Sequence, residues 1–553
     1  QATRQLRSGE LLLVDAGALS GANVLILNGA AETTSGLTAQ GVAGDDILIG
    51  GGGIDLLIGG LGADTLTGNG GLDTVSYALS NAAVTVDLLN NGLNAGGHAA
   101  GDVLSGIENL IGSAGADSIR GDGAANTIFG GLDDDTLNGR DGNDTLEGSD
   151  GADTLDGGNG VDIATYANST AGVTVNLADS SKNAGGEAAG DVLTGIEAVI
   201  GSNQLDKLTG DANGNLLAGG AGDDTLTAGA GVDVLLGGGN DDNLVFGGDL
   251  TAQDQADGGT GFDTLKLDGN YAAGVIFSTT TVTNIETIDL ADGNSYKLTL
   301  NNATNTLSLK VDGSGLTGGN SLNLNGAAET ANSLVAYGGA GADTLVGGGG
   351  NDVLQGGANA DVLTGNGGID TASYTLSDDA VVINLNILTA QVSTGHASGD
   401  KLAGIENLIG SDFNDVFTGN ALANRLEGGN GVDAMDGGAG NDILEGGANT
   451  DLLIGGGGID TATYANSATG VTVDLGDSSK NAGGEAQGDV LMSIENLIGS
   501  DKADTLVGDG NANPVDGGGG GETLVAECGS DTLVGGTGGD PVEKLRPHAR
   551  RGR

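Results

Sequence analysis

Carboxylates recur in this chain on a nine-residue beat. In the stretch GGAGADTLVGGGGNDVLQGGANADVLTGNGGID, Asp343, Asp352, Asp361 and Asp370 stand nine apart, with little but glycine and small residues between them. The same step gives five further runs. They are Asp46, Asp55, Asp64 and Asp73; Asp117, Asn126, Asp135, Asp144, Asp153 and Asp162; Asp206, Asn215, Asp224, Asp233 and Asp242; Asp415, Asn424, Asp433, Asp442, Asp451 and Asp460; and Asp504, Asn513, Glu522, Asp531 and Asp540. Two places after each of these thirty slots sits an apolar residue, mostly Leu. Oxygens in such numbers suit the holding of a hard cation. An ion that takes 6–8 oxygens at about 2.3–2.6 Å can use carboxylates and loop carbonyls together, which favours Ca²⁺ over the strictly octahedral Mg²⁺. Three His and one Cys are too few to build zinc sites on this scale.

The elements that must position these side chains follow from the repeat GGxGxDxUx, where U is apolar. Glycines permit a compact turn with positive φ. The xUx portion is a three-residue strand whose central side chain points inward. Two nonamers, eighteen residues, close one flattened coil, and stacked coils form a parallel solenoid with Leu on Leu along its axis. Aspartates eighteen apart, such as Asp343 and Asp361, then fall on neighbouring coils about 4.8 Å apart. Like charges at that spacing repel by roughly 1 kcal/mol in water and a few times more near a protein surface. Repeated along two edges, this repulsion opposes folding unless a cation neutralises it.

Between the runs lies a longer motif in four copies, starting at Asp73, Asp162, Asp370 and Asp460. One copy reads DIATYANSTAGVTVNLADSSKNAGGEAAGDVLTGIEAVIGS. Each carries a Tyr four residues on (Tyr77, Tyr166, Tyr374, Tyr464), an alternating stretch such as VTVNL, and an IE-containing strand before the next run. The tyrosines are expected as core or edge rungs rather than as a sugar-stacking ladder. His98 and His396 occupy the place taken by Glu187 and Glu485 in the other copies, a solvated loop position rather than a metal site. A larger repeat relates LNGAAET at Leu27 to LNGAAET at Leu324. The segment from Thr251 to Ala336 has no nonamer run, and its alternations (TLKLDG, YKLTL, LSLKVDG) suggest antiparallel or solenoid-capping strands.

Composition narrows the function. Among 553 residues there are 112 glycines, 2% aromatics and no Trp, with a formal charge of −57. Such a balance would indicate disorder were the 38% hydrophobic content not so regularly placed. It repels nucleic acid, whose protein contacts are largely Lys and Arg on phosphate. One cysteine, Cys528, excludes an intramolecular disulfide framework. No apolar run approaches the roughly 18–20 residues of a membrane span, and no signal peptide is visible. No GK[ST], GxSxG or HExxH motif is present, so the chain reads as non-enzymatic.

With these residues in view, the GGxGxD nonamers resemble those of the RTX (repeats-in-toxin) calcium-binding family, and the DTxxY…VTVxL…IENLIGS motif resembles segments of large RTX proteins. The resemblance implies an all-β fold: a right-handed parallel β-roll or β-solenoid, with interleaved longer β segments and several Ca²⁺ held between loops. It implies metal ligands at Asp46, Asp55, Asp64, Asp73, Asp117, Asp135, Asp144, Asp153, Asp162, Asp206, Asp224, Asp233 and Asp242. In the second half they are Asp343, Asp352, Asp361, Asp370, Asp415, Asp433, Asp442, Asp451, Asp460 and Asp504. Pairs eighteen apart, such as Asp46 with Asp64 and Asp442 with Asp460, share the work. Asn126, Asn215, Asn424 and Asn513 keep an oxygen but lose the charge, so sites there should be weak or absent; their recurrence suggests a coil built to open each run. Beyond about Asp504, Glu522, Pro514 and Pro541 argue against regular coils.

The chain divides on this reading into an out-of-pattern tail over 1–10 and a first superrepeat over 11–250, with nonamers at 41–76, 112–165 and 201–247. An intervening β segment covers 251–336. A second superrepeat covers 337–540, with nonamers at 338–373, 410–463 and a degenerate set at 499–540, before a basic tail over 541–553. The irregular ends fit a fragment of something longer. The expected function is a structural module that folds on binding calcium, part of a bacterial protein exported to the cell surface or medium by type I secretion machinery. The alternatives are an adhesin or surface-layer-type rod, with cell-surface or polysaccharide contacts, and the repeat portion of an exported enzyme or toxin (protease, lipase, polysaccharide epimerase or lyase, hemolysin) whose active domain lies elsewhere.

Overall fold

The computed structural model describes residues 12–16, 23–301, 308–330 and 332–539, and the backbone of 542–544. The tails expected over 1–10 and 541–553 otherwise lie outside the described residues, as does Asp540. Among the described residues the sheets are built of parallel strands, as Asn109–Ile111 with Thr127–Leu132, and the only antiparallel pairings are single bridges inside the longer motifs, such as Thr85 with Ala95. Turns and short 3-10 segments lie between strands. Among the described residues no helix is long and apolar enough to cross a membrane. The chain forms two compact units, Gln1–Leu265 with Thr283–Ile285, and Lys266–Val282 with Glu286–Arg553.

In the first unit each nonamer supplies a strand of three to six residues, and successive nonamers alternate between two faces. One face is an unbroken sheet that includes Leu56–Ile58, Thr74–Ser76, Asn109–Ile111, Thr127–Leu132, Thr145–Asp150 and Ile163–Thr165. The other face is divided. One sheet ends at Val103–Ser105, the next runs from Thr85–Asp87 to Val192–Thr194, and a third starts at Thr174–Asn176. The divisions fall at the interleaved motifs. Each motif is one enlarged coil that closes the sheet behind it and founds the one ahead.

The second unit repeats this plan. Its continuous face includes Leu334–Gly339, Val353–Gly357, Thr371–Ser373, Asn407–Ile409, Arg425–Asn430 and Ile443–Ala448, and its other face is divided at the motifs from Asp370 and Asp460. The segment after Thr251 departs from expectation. Tyr271–Ile276 pairs parallel with Tyr296–Thr299, and Leu309–Asp312 parallel with Leu334–Gly339, so these are solenoid coils rather than antiparallel strands. Alternating apolar residues cannot distinguish the two, since both bury one face of a strand. Regular pairing also persists past Asp504: Leu506 pairs with Leu524 and Val515 with Leu533.

The core is a ladder of the apolar slots. Leu48, Leu66, Leu146, Leu345, Leu363 and Leu444 are all fully buried, and each stacks on its counterpart in the next coil, as Leu48 on Leu66 and Leu345 on Leu363. One buried Leu is worth about 1.5–3 kcal/mol. With a single such side chain per nonamer, the core has little reserve against an uncompensated buried charge.

Candidate metal centres

The two oxygens of a nonamer aspartate have different surroundings. Oδ1 accepts the backbone N–H of the aspartate one coil earlier. Asp343 N donates to Asp361 Oδ1 at 2.7 Å, Asp352 N to Asp370 Oδ1 at 2.8 Å, and Asp46 N to Asp64 Oδ1 at 2.7 Å. The same bond joins Asp55 to Asp73, Asp117 to Asp135, Asp144 to Asp162, Asp206 to Asp224, Asp433 to Asp451 and Asp442 to Asp460. The expected pairs are therefore neighbours on the coil stack, joined through backbone and carboxylate.

Oδ2 separates the loops into two kinds. Among the described residues of the nonamer runs, it is buried and meets no hydrogen-bond donor in fifteen aspartates: Asp64, Asp73, Asp135, Asp144, Asp153, Asp162, Asp224 and Asp242 in the first unit, and Asp343, Asp361, Asp370, Asp433, Asp442, Asp451 and Asp460 in the second. These side chains are at most 2% exposed. In the other eight a backbone N–H four residues earlier closes onto the carboxylate. Val42 N caps Asp46, Gly51 N caps Asp55 and Gly348 N caps Asp352. Gly229 N reaches Asp233. Ser113, Ser202, Ser411 and Ser500 cap Asp117, Asp206, Asp415 and Asp504 through both the amide and the hydroxyl.

Backbone conformation separates the same two sets. In every uncapped loop the residue four before the aspartate has positive φ, and in none of the capped loops does it. Four of these residues are not glycine: Asn69 at 76°, Arg140 at 80°, Ser149 at 71° and Asn366 at 77°. A left-handed conformation costs a non-glycine residue about 1 kcal/mol or more, so the open loop shape is held against a local preference. Arg140 is anchored there by a bidentate pair with Asp87, with Nη2 to Oδ2 at 2.7 Å.

The donor chemistry fits an oxygen-seeking ion. A Cβ added to Gly338 would collide with both Asp343 Oδ2 and Gly356 O, and one added to Gly428 with Asp433 Oδ2 and Gly446 O. Each glycine thus leaves a cradle in which a carboxylate oxygen and the carbonyl of the next coil converge. Among the described residues no three His, Cys, Asp or Glu side chains converge on one point. Each loop brings one carboxylate, and the further ligands must be carbonyls, as Ca²⁺ accepts and Zn²⁺ does not. Burial, with neighbouring carboxylates adding to it, pushes Asp361 up to about 8 and Asp135 and Asp433 up to about 7. A cation would reverse that trend by favouring the charged form.

The ladder also contains residues outside the nonamers. Asp102, Asp191, Asp400 and Asp489 accept the N–H of Asp64, Asp153, Asp361 and Asp451 across the enlarged coils. Their Oδ2 atoms are met by the hydroxyls of Tyr77, Tyr166, Tyr374 and Tyr464 at 2.9–3.1 Å. These tyrosines are at most 1% exposed, so they are interior rungs. On the other edge Glu108, Glu197, Glu406 and Glu495 accept the N–H of Asp73, Asp162, Asp370 and Asp460. The signal was in the sequence, because each of these acids has an apolar residue two places on, as Leu104 follows Asp102 and Leu110 follows Glu108. Asp254 and Asp263 extend the ladder in the same way by accepting from Asp233 and Asp242.

The four asparagines answer an inverted partner. Glu108 N is occupied by Asp73 O, so what Glu108 presents to the next coil is its carbonyl. Asn126 Nδ2 donates to that carbonyl at 3.1 Å, as Asn424 does to Glu406 O at 2.8 Å and Asn513 to Glu495 O at 3.0 Å. An aspartate has no donor to offer there. Asn513 also explains why Pro514 is tolerated, since its amide meets the carbonyl that a backbone N–H would otherwise satisfy. His98 and His396 are the middle residues of short 3-10 turns and are half-buried, each with its backbone N–H on a serine hydroxyl.

The sequence profile of the RTX calcium-binding nonapeptide repeat (4 copies) matches residues 40–75, 103–137, 130–164, 209–244, 337–372, 402–435 and 427–462. No curated protein matches the chain significantly. RTX nonapeptide repeats bind multiple Ca²⁺ ions, and these matches cover loops of both units that carry the donor-free carboxylate oxygens. The chain thus carries RTX calcium-binding nonapeptide repeats in several copies along its length.

Proposed function

We propose that this chain is a structural module of an exported bacterial protein whose folding is conditional on calcium, with nonamer aspartates as the side-chain ligands and no catalytic role of its own. The observation that carries this reading is that, among the described residues, fifteen aspartates of the nonamer runs bury a carboxylate oxygen that meets no donor. An unpaired buried charge costs several kcal/mol even after relaxation, more than the one buried Leu each nonamer contributes. Calcium binding supplies the difference, so binding free energy becomes folding free energy. A bacterial cytosol low in calcium would leave the repeats uncompacted for passage through a type I exporter, and the millimolar calcium outside would fold them. RTX repeat proteins are typically extracellular, which supports that order of events.

The test compares far-ultraviolet circular dichroism and small-angle scattering in EDTA and in millimolar Ca²⁺. The expected result is a large gain in β signal with a smaller radius of gyration, and little of either with Mg²⁺. An unchanged spectrum and radius would overturn the proposal.

A further inference from the structure

The division of the loops recurs in one order. After each enlarged coil comes a capped coil, with a serine-closed aspartate on one edge and an asparagine on the other: Ser411 with Asp415, and Asn424. In the runs from Asp117 and Asp415 open coils follow, and the next enlarged coil ends the block with a tyrosine-capped aspartate and a glutamate. The four serine-capped loops have no nonamer loop beneath them. The open loops that follow do, and its carbonyls lie against them: a Cβ on Gly429 would strike Ser411 O, and one on Gly447 would strike Gly429 O. Asp233, capped above the Asn215 loop, and Asp343, open above a segment without nonamers, depart from this order.

We infer that calcium enters only the open loops, one ion for each, and that the capped loops are rungs that need no metal, their second carboxylate oxygen already satisfied by an N–H. The inference rests on the calcium-binding reading and sharpens it, since the sequence alone nominates twenty-three aspartates equally. The physical ground is competition for one atom. An Oδ2 that accepts an amide at 2.6 Å, as in Asp415 and Asp504, must give up that bond and its loop must adopt positive φ before an ion can bind. An Oδ2 without a donor gives up nothing. Capped rungs thereby hold coil register at the start of each block with hydrogen bonds alone.

The experiment is equilibrium dialysis of the whole chain against labelled Ca²⁺ to saturation, followed by the Asp433→Asn and Asp415→Asn variants. The wild-type chain should bind about fifteen ions, Asp433→Asn at least one fewer, and Asp415→Asn the wild-type number. Saturation near twenty-three ions, or an equal loss in both variants, would overturn the inference while leaving calcium binding intact. A wild-type chain that binds no calcium would overturn the parent reading as well. If Asp415→Asn fails to fold, the wild-type count still decides between fifteen and twenty-three.

Discussion

An aspartate side chain here performs two tasks that its two oxygens keep apart. Oδ1 fixes the neighbouring coil, and Oδ2 either closes its own loop or is buried with no donor. The nine-residue beat revealed where the carboxylates are, because spacing is written directly in sequence. It could not reveal which of them are capped, because that goes with the backbone conformation four residues earlier, which residue type alone does not fix: Gly229 precedes a capped aspartate and Gly220 an open one. The asparagines were visible as departures, but their purpose required knowing that Glu406 presents a carbonyl rather than an N–H. Replacing Asn424 by Asp sets a carboxylate oxygen against that carbonyl and leaves it without a donor. The Asn424→Asp chain is expected to lose about 1–3 kcal/mol, read as a lower denaturation midpoint with unchanged slope in saturating Ca²⁺.

At the scale of the element, the enlarged coil marks where the nonamer rhythm pauses without breaking the ladder. Its tyrosine carries the pause. Tyr166 lies inside the coil with its hydroxyl 2.9 Å from Asp191 Oδ2, and burial together with Asp191 holds its own pKa well above the usual value, so it remains a donor. Removing only the hydroxyl, as in Tyr166→Phe, leaves Asp191 Oδ2 buried without a partner. The expected loss is about 1–3 kcal/mol, seen as a lower melting temperature in saturating Ca²⁺, with the calcium count unchanged. A melting temperature equal to wild type would show that Asp191 has another way to satisfy that oxygen. The motif itself was legible as four copies of one pattern, and its tyrosines as rungs. The continuity of Asp191 with the nonamer aspartates was hidden by an interval of 38 residues where eighteen was the rule. The direction of the strands after Thr251 was equally hidden, because inward-outward alternation is common to parallel and antiparallel pairing.

Across the whole molecule, the all-β class, the parallel coils and the leucine ladder follow from a repeat that leaves few alternatives, and both units conform to it. The accumulated carboxylates also give the metal-free chain a pH response. Burial raises Asp64, Asp144 and Asp370 to about 6, Asp135 and Asp433 to about 7 and Asp361 to about 8, all from 3.8. A carboxyl raised in the folded state binds more protons folded than unfolded. Its contribution to stability is therefore complete below about pH 4 and is lost as pH rises through about 6 to 8. In EDTA the chain should gain β structure as pH falls through that window, and circular dichroism against pH checks it. A metal-free β signal that grew with rising pH would contradict the assignment of burial as the cause. With calcium present the dependence reverses, since the ion displaces protons from the same groups.

Nonamers are nearly interchangeable in shape, and a chain of interchangeable parts is open to slippage. A shift of nine or eighteen residues would still set Leu upon Leu, and the core alone would not detect it. The asparagine that follows each enlarged coil does. A nine-residue shift that brought Asp433 to the place of Asn424 would face its carboxylate with the carbonyl of Glu406, two acceptors and no proton between them. The same shift would bring Asn424 to the place of Asp415, whose rung partner is the N–H of Val381, stranding the asparagine's own amide. Four amides in a chain of 553 residues thus act as alignment keys, rejecting misthreaded coils by donor and acceptor polarity rather than by size.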